Sequence, residues 1–368
     1  MRSRDLFRGC LIGGAVGDAL GYAVEFISEE AIFRRYGKNG ITEYDLTDGI
    51  AEISDDTQMT MFTATGLLSA AAHRTGSDRI DIYPDHIRLS YKDWYRTQTE
   101  RFPLPEGVRH SWLVNVPELF SPRAPGNTCL SALEDSGKGS VQNPLNCSKG
   151  CGGVMRVAPV GLYFAGKKTS MRDSDEIGAE AAAITHGHDL GWLPAAALVH
   201  IVRHLIEHEG EPVLAAVRDA QAALRETFPH AKHLKGFVGL IQKAIDLAES
   251  ETDDLDAIGE IGEGWVGDEA LAIAVYCALK HPDSFEDAVV ASVNHSGDSD
   301  STGAITGNIM GAALGLKAIP EKYLRDLELR EVIQELADDL YSDSPTEGES
   351  GDPVWLSKYV RADYRRSS

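Results

Sequence analysis

Residues 9–21 read Gly9-Cys10-Leu11-Ile12-Gly13-Gly14-Ala15-Val16-Gly17-Asp18-Ala19-Leu20-Gly21, and residues 303–315 repeat the spacing with Gly303, Gly307, Gly311 and Gly315. In both stretches glycine returns at every fourth position. On an α-helix, residues i and i+4 share a face, so each run makes a smooth groove without side chains. A glycine costs about 1 kcal/mol per interior helix position relative to alanine. Two such rows make sense if other backbones approach them very closely, and packing of that kind fixes backbone positions accurately. The flanks are not long apolar spans, which rules out a membrane GxxxG dimer. Asp18 lies within the first row, and Asp298 and Asp300 stand just before the second. Both helices are expected at the centre of the protein, and mutual contact is one way to satisfy both rows.

Outward from these rows, helical periodicity dominates. It predicts helices over 4–20, 57–73, 83–97, 153–165, 175–186, 191–208, 211–227, 235–249, 268–280, 284–293, 301–315 and 326–342. Ala-rich stretches such as Ala179 to Ile184 and Ala195 to Leu205 fit helix propensity. Alternating, β-branched strand patterns are scarce. The expectation is an all-α fold in one domain, residues 1–342. An acidic loop and C-terminal tail, 343–368, would pack on it or extend from it. Hydrophobic residues make up 43% of the 368, enough for a sizeable core.

A net charge of -22 argues against nucleic acid or an anionic membrane as the main partner and is compatible with metal cations. No stretch is long and apolar enough to span a bilayer, and the N-terminus lacks the pattern of a signal peptide. A cytoplasmic protein is expected. The five cysteines, Cys10, Cys129, Cys147, Cys151 and Cys277, are odd in number and do not form a disulfide framework. Cys147 and Cys151 lack the second ligand pair of a zinc site.

Two acidic clusters each open onto a helix. The first is Ser54-Asp55-Asp56-Thr57, and N-capping alone accounts for it as well as metal binding does. The second runs Asn294-His295-Ser296-Gly297-Asp298-Ser299-Asp300-Ser301-Thr302, more small and polar groups than one cap needs. Hard divalent cations prefer carboxylate, hydroxyl and water oxygens. Two such clusters on two helix starts suggest a shared site for one or two Mg²⁺ or Mn²⁺ ions, a pair lying about 3.5–4 Å apart.

Several segments together resemble the ADP-ribosylglycohydrolase family. They are Gly13 to Gly21, Ser54-Asp55-Asp56-Thr57, Gly152-Gly153-Val154-Met155-Arg156-Val157-Ala158-Pro159 and Gly297-Asp298-Ser299-Asp300-Ser301, in the family's order. Arg123 to Thr128 and Thr185-His186-Gly187-His188 are similar to it as well. The resemblance implies an orthogonal array of helices around a binuclear metal centre with Ser54, Asp55, Asp56, Asp298, Asp300 and Ser301 as ligands. It implies hydrolysis of the bond between C1″ of ADP-ribose and an acceptor, with arginine on a protein preferred and serine or O-acetyl-ADP-ribose as alternatives. The partner would be an ADP-ribosylated protein or conjugate, and some relatives counter an ADP-ribosyltransferase toxin.

Glu25 reads as a surface charge on its own and, by the resemblance, as an acid/base or substrate-orienting residue. Asp55 or Asp56 would take a proton from water. The loop Ser148-Lys149-Gly150-Cys151-Gly152-Gly153 is an ordinary turn by itself, since GxxxxGK[ST] is missing. The resemblance makes it a diphosphate cradle, with Lys149 as an added charge. His186 and His188 read as hydrogen-bonded histidines, and the resemblance places His186 near the distal ribose. Trp192, Trp265 and Tyr276 fit core packing.

Two rival readings differ in class. A Mg²⁺-dependent isoprenoid synthase would show DDxxD, but Asp55-Asp56 is followed by Thr57-Gln58-Met59. A non-catalytic ADP-ribose- or toxin-binding protein would have lost the acidic ligands, and none is lost.

Overall fold

The computed structural model describes residues 3–73, 80–134, 138–342 and 352–366. Its helices are α1 (Arg4–Tyr22), α2 (Glu29–Tyr36), α3 (Asp55–His73), α4 (Ile82–Thr99), α5 (Asn127–Glu134), α6 (Ala158–Phe164), α7 (Met171–Ala183), α8 (Asp189–Glu207) and α9 (Val213–Thr227). They continue with α10 (Leu234–Ala248), α11 (Asp254–Ile261), α12 (Gly267–Lys280), α13 (Phe285–Val293), α14 (Ser299–Leu314), α15 (Glu321–Arg325), α16 (Arg330–Ser342) and α17 (Pro353–Tyr359). Among the described residues there is no sheet, only isolated bridges such as Gly150 with Val266. The all-α fold expected from the periodicity is present.

The two glycine rows face each other. Helices α1 and α14 run antiparallel, with Gly9 against Gly311, Gly13 against Gly307, Gly17 against Gly303 and Gly21 against Ser299. A Cβ added at any of these glycines would come 1.9–2.4 Å from a backbone oxygen on the other helix, well inside contact distance. Asn308 reaches across the seam to donate to the Cys10 carbonyl at 2.8 Å. Nearly every residue of both helices is buried. The loss of helix propensity at the glycines is thus offset by close backbone contact along the central axis. The antiparallel pairing also brings the end of α1 beside the start of α14.

Five short helices have no counterpart in the periodicity: α2, α5, α11, α15 and α17. Each has only five to eight residues, too few turns for an apolar stripe to stand out. Caps and packing hold them instead. Ser28 accepts from Ala31 N, and Asp253 accepts from Leu255 N. The helix expected over 153–165 starts later, at Ala158, because Pro159 fits the first turn and disfavours helix before it.

The 343–351 part of the expected acidic loop lies outside the described residues. Beyond it, α17 packs back on α16. Lys358 is buried between Glu335, at 2.7 Å, and Asp339, at 2.6 Å.

Candidate active site

Three chain segments meet where α1 ends: the start of α3, the start of α14 and the loop after α1. Helix starts carry unpaired N–H groups and the positive end of the helix dipole, so carboxylates are favoured there. Asp18 reaches from α1 and caps α3 from outside. Its carboxylate accepts from Ser54 N at 3.0 and 3.1 Å and from Thr57 N at 3.1 Å, and the Thr57 hydroxyl donates to it too. Asp298 caps α14 by accepting from Ser301 N at 3.3 Å. The Cys151 thiol donates to its other oxygen at 2.7 Å. Ser54 sits beneath the cluster, accepting from Asp56 N at 3.2 Å and donating to Asp300. Asp55 is tied to the 123–126 loop, with its N–H on the Arg123 carbonyl at 3.0 Å and its carboxylate on Gly126 N at 3.3 Å.

Asp55, Asp56, Asp298, Asp300, Ser301 and Glu25 line one cleft of about 500 Å³. All are buried. Glu25, Asp298 and Asp300 each present a carboxylate oxygen within 4.8 Å of the others. Glu25 therefore stands as close to the second cluster as a ligand would, nearer than a residue that only overhangs the substrate.

Burial disfavours each of these charges, and the carboxylates repel one another. Burial and then Asp300 and Asp298 push Glu25 up to about 10. Asp18 is pushed up to about 7, by burial and Asp300 against the hydrogen bonds from Thr57 and Ser54. Asp55, Asp56 and Asp300 are driven well up by burial and their acidic neighbours. Glu25 Oε2 and Asp56 Oδ2 are buried oxygens without a hydrogen-bond partner. Orphaned acceptors among crowded carboxylates and hydroxyls are the donor set of a hard cation, so the residues fit a divalent metal centre.

The glycine loop divides. Gly150, Cys151 and Gly152 line the cleft, whereas Ser148 and Gly153 lie behind it. Ser148 Oγ accepts from Gly150 N at 3.3 Å, and Cys151 N donates to the Trp265 carbonyl at 3.3 Å. Two N–H groups expected to cradle diphosphate thus already hold long contacts inside the protein. Gly153 is packed against the Gly191 carbonyl of α8. Lys149 is exposed and does not line the cleft.

His186 lines the cleft with its ring against Gly150 and Gly152. Burial and the nearby Arg156 hold it down to about 3, so the ring is neutral. Thr185 Oγ accepts from Arg156 at 2.7 Å and lies 2.8 Å from His186 Nδ1. Nε2 is the ring nitrogen on the side facing Gly150. His188 turns elsewhere, capping α8 through Leu190 N at 3.0 Å and stacking on His233. His295 also turns from the cleft, toward the Ser292 carbonyl and Thr302.

Trp192 and Tyr276 are buried, but the core expectation fails for Trp265, which is 39% exposed. It stacks on Phe26, itself 72% exposed, at 6.0 Å and 18°, and both line the cleft. Trp265 lies between Gly264 and Val266 before α12 begins, so helical spacing was the wrong frame for it. Arg156 was quoted only as part of a motif. Its guanidinium is fully buried, 4.4 Å from the Tyr91 ring centroid.

Asp18 is the positioning residue that spacing alone did not single out. An acid inside a glycine row, on a helix packed all round, was its only signal. Asp18→Ala leaves the Ser54 and Thr57 donors unpaired and should cost about 2–4 kcal/mol in thermal unfolding. Asp18→Asn keeps an acceptor and should lose less than half of that. Equal losses would remove Asp18 as the cap of α3.

Fold and cleft together define an all-α protein with a crowd of buried carboxylates lining one cleft. The family model described as ADP-ribosylglycohydrolase matches residues 1–350, and the chain belongs to that family. It is 26% identical to the ADP-ribosylhydrolase ARH3 of Mus musculus, over 92% of this chain and 92% of that protein. It is 26% identical to the ADP-ribosylarginine hydrolase Tri1 of Serratia proteamaculans, over 94% of this chain and 81% of that one. Identity to the ADP-ribosyl-[dinitrogen reductase] glycohydrolase of Rhodospirillum rubrum is also 26%, over 88% and 90%. A solved structure described as an ADP-ribosylglycohydrolase-related protein complex superposes with a TM-score of 0.61 at 23% identity, covering 92% of this chain and 98% of that one. No helix among the described residues is long and apolar enough to cross a membrane.

Proposed function

We propose that this glycosidase removes ADP-ribose from arginine on proteins, using two Mg²⁺ or Mn²⁺ ions held by Ser54, Asp55, Asp56, Asp298, Asp300 and Ser301. The observation that carries the reading is the crowd of buried carboxylates, two with orphaned oxygens, at the floor of a cleft of about 500 Å³. Bound there, the cations supply the positive charge that orients the hydroxyls of the distal ribose and polarises a water molecule.

The protein groups do the rest. Loss of the acceptor builds oxocarbenium character at C1″, and the carboxylates around the ribose stabilise it. Asp55 or Asp56 takes the proton of the attacking water. Glu25 gives its proton to the departing guanidine or orients the sugar. The neutral His186 ring hydrogen-bonds the ribose side of the ligand through Nε2. The diphosphate lies along Gly150, Cys151 and Gly152, whose long internal contacts are exchanged for phosphate oxygens.

The acidic lining favours arginine, because a glycosylated guanidinium is still a cation and a glycosylated serine is neutral. The Serratia relative, named for ADP-ribosylarginine, is in keeping with that choice. A toxin as partner finds no support in these relationships.

The test is incubation with arginine- and serine-ADP-ribosylated proteins, with and without Mg²⁺ or Mn²⁺, read by mass spectrometry. The arginine linkage should be cleaved only with the divalent ion. Cleavage of serine linkages alone would overturn the acceptor, and full activity in chelator would overturn the metal centre. Glu25→Gln should lower kcat by about 10²–10⁴-fold with little change in KM. An unchanged kcat would take Glu25 out of the chemistry.

A further inference from the structure

A second polar cluster lies along α8, away from the cleft. His200 and His204 are one helical turn apart and share a face. His200 is about 14 Å along the helix from Gly191, at nine residues of 1.5 Å rise. Both rings are held on their outer nitrogens by carboxylates. Asp175 of α7 is 2.9 Å from His200 Nδ1, and Glu211 is 3.1 Å from His204 Nε2. The inner nitrogens converge on one atom. Asp219 Oδ2 of α9 stands 3.1 Å from His200 Nε2 and 3.0 Å from His204 Nδ1.

We infer that His200, His204 and Asp219 form a second metal site, for zinc or a cation of similar softness, that staples α8 to α9, with Asp175 of α7 orienting His200.

Ligands about 2.0 Å from a tetrahedral zinc are about 3.3 Å from each other. The two nitrogen–oxygen separations are already close to that edge, so a small shift of Asp219 admits the ion. The Asp219 side chain is 51% exposed, against 3% for His200 and 10% for His204. The ion therefore has a path from solvent, and water a place as fourth ligand. A carboxylate on the far nitrogen of each ligating imidazole fixes ring orientation and raises its basicity, an arrangement typical of zinc sites.

Charge points the same way. Three carboxylates surround two imidazoles, and Asp175 Oδ1 is buried with no partner. The neighbouring cation, Arg203, is committed to Glu207, Ser174 and the carbonyls of Thr169 and Ser170. Imidazole ligands favour zinc over magnesium or manganese, which separates this site from the oxygen-only cleft. The other histidine cluster, His188 with Asp189 and His233, is weaker, because His188 Nδ1 already accepts from Leu190 N.

The test uses the full chain, freed of metal by chelator and returned to saturating Mg²⁺ so that the cleft is occupied. Zinc is then titrated by calorimetry, and Co²⁺ by visible absorption. Wild type should take up one Zn²⁺ that Mg²⁺ does not displace, gain thermal stability from it, and give the absorption of four-coordinate Co²⁺. Asp219→Asn, at a half-exposed position that tolerates change, and His204→Gln should each weaken zinc binding by about 100-fold or more, and Glu211→Gln by about 10-fold. No zinc uptake by wild type overturns the proposal, as does wild-type affinity in either Asp219→Asn or His204→Gln. Hydrolase activity is not the readout, so failure of the arginine assignment would leave this result standing.

Discussion

Asp300→Asn should reduce ADP-ribose release by about 10³-fold or more and, in chelator, make the protein more stable. The loss follows from removing one of the proposed metal ligands, and with it the cation charge that would orient the ribose and polarise the water, a contribution of about 10³-fold or more. The gain follows from what surrounds Asp300. It is buried, and Asp298, Asp55, Asp56, Glu25 and Asp18 all bear on the same pocket. An amide keeps a carbonyl oxygen to accept from Ser301 N and Ser54 and removes one member of the repulsive set. A stabilisation of about 1 kcal/mol is expected, in line with the trade between activity and stability at strained sites.

The sign with pH is fixed as well. Glu25, Asp18 and Asp300 have folded-state pKa values above those of the unfolded chain. Without metal, their stabilisation is complete below about pH 4, the ordinary carboxylate range, and is lost as pH rises through about 7 and toward about 10. Asp300→Asn should flatten that fall, and Mg²⁺ should protect wild type but not the variant. Melting curves across pH, with and without Mg²⁺, check all three statements. A variant less stable than wild type in chelator would mean that the carboxylate cluster is not under strain.

Gly307→Ala should destabilise the protein by at least about 3 kcal/mol or stop it folding. The added methyl would overlap the Gly13 carbonyl, which is backbone and cannot swing aside. Helices α1 and α14 would have to separate, and with them Asp18 from the cap of α3. The matched control is Gly239→Ala in α10, where nothing lies within 4 Å of the new Cβ. There the better helix propensity of alanine should stabilise by about 0.5–1 kcal/mol. Thermal unfolding of the two variants gives opposite signs if the seam is as tight as described. A wild-type melting temperature for Gly307→Ala would refute it.

The central helix pair and the two acidic clusters were legible in the sequence because their signals are periodic or dense. Gly9 to Gly21 and Gly303 to Gly315 repeat at the helical interval, and Asp298-Ser299-Asp300-Ser301 exceeds what one cap needs. Asp18 was legible only as an oddity, since its partners Ser54 and Thr57 are 36 and 39 residues away. Trp265 was misread because a tryptophan between helices carries no mark of which way it faces. The short helix α5 escaped notice for want of turns, although the loop before it carries Gly126, which holds Asp55. The diphosphate cradle expected at Gly150 and Cys151 looked simpler in the sequence than in the fold, where both N–H groups have partners.

The glycine seam has one more consequence, for how acceptor choice can vary. A helix contact built from backbone has no rotamers to repack, so drift in sequence cannot gradually reshape the floor of the cleft that rests on it. Substrate preference must then be written elsewhere, on the rim formed by Phe26, the 124–128 loop and Trp265. An enzyme of this build can exchange the linkage it cuts by editing those few exposed positions while the bond-breaking floor stays as it is.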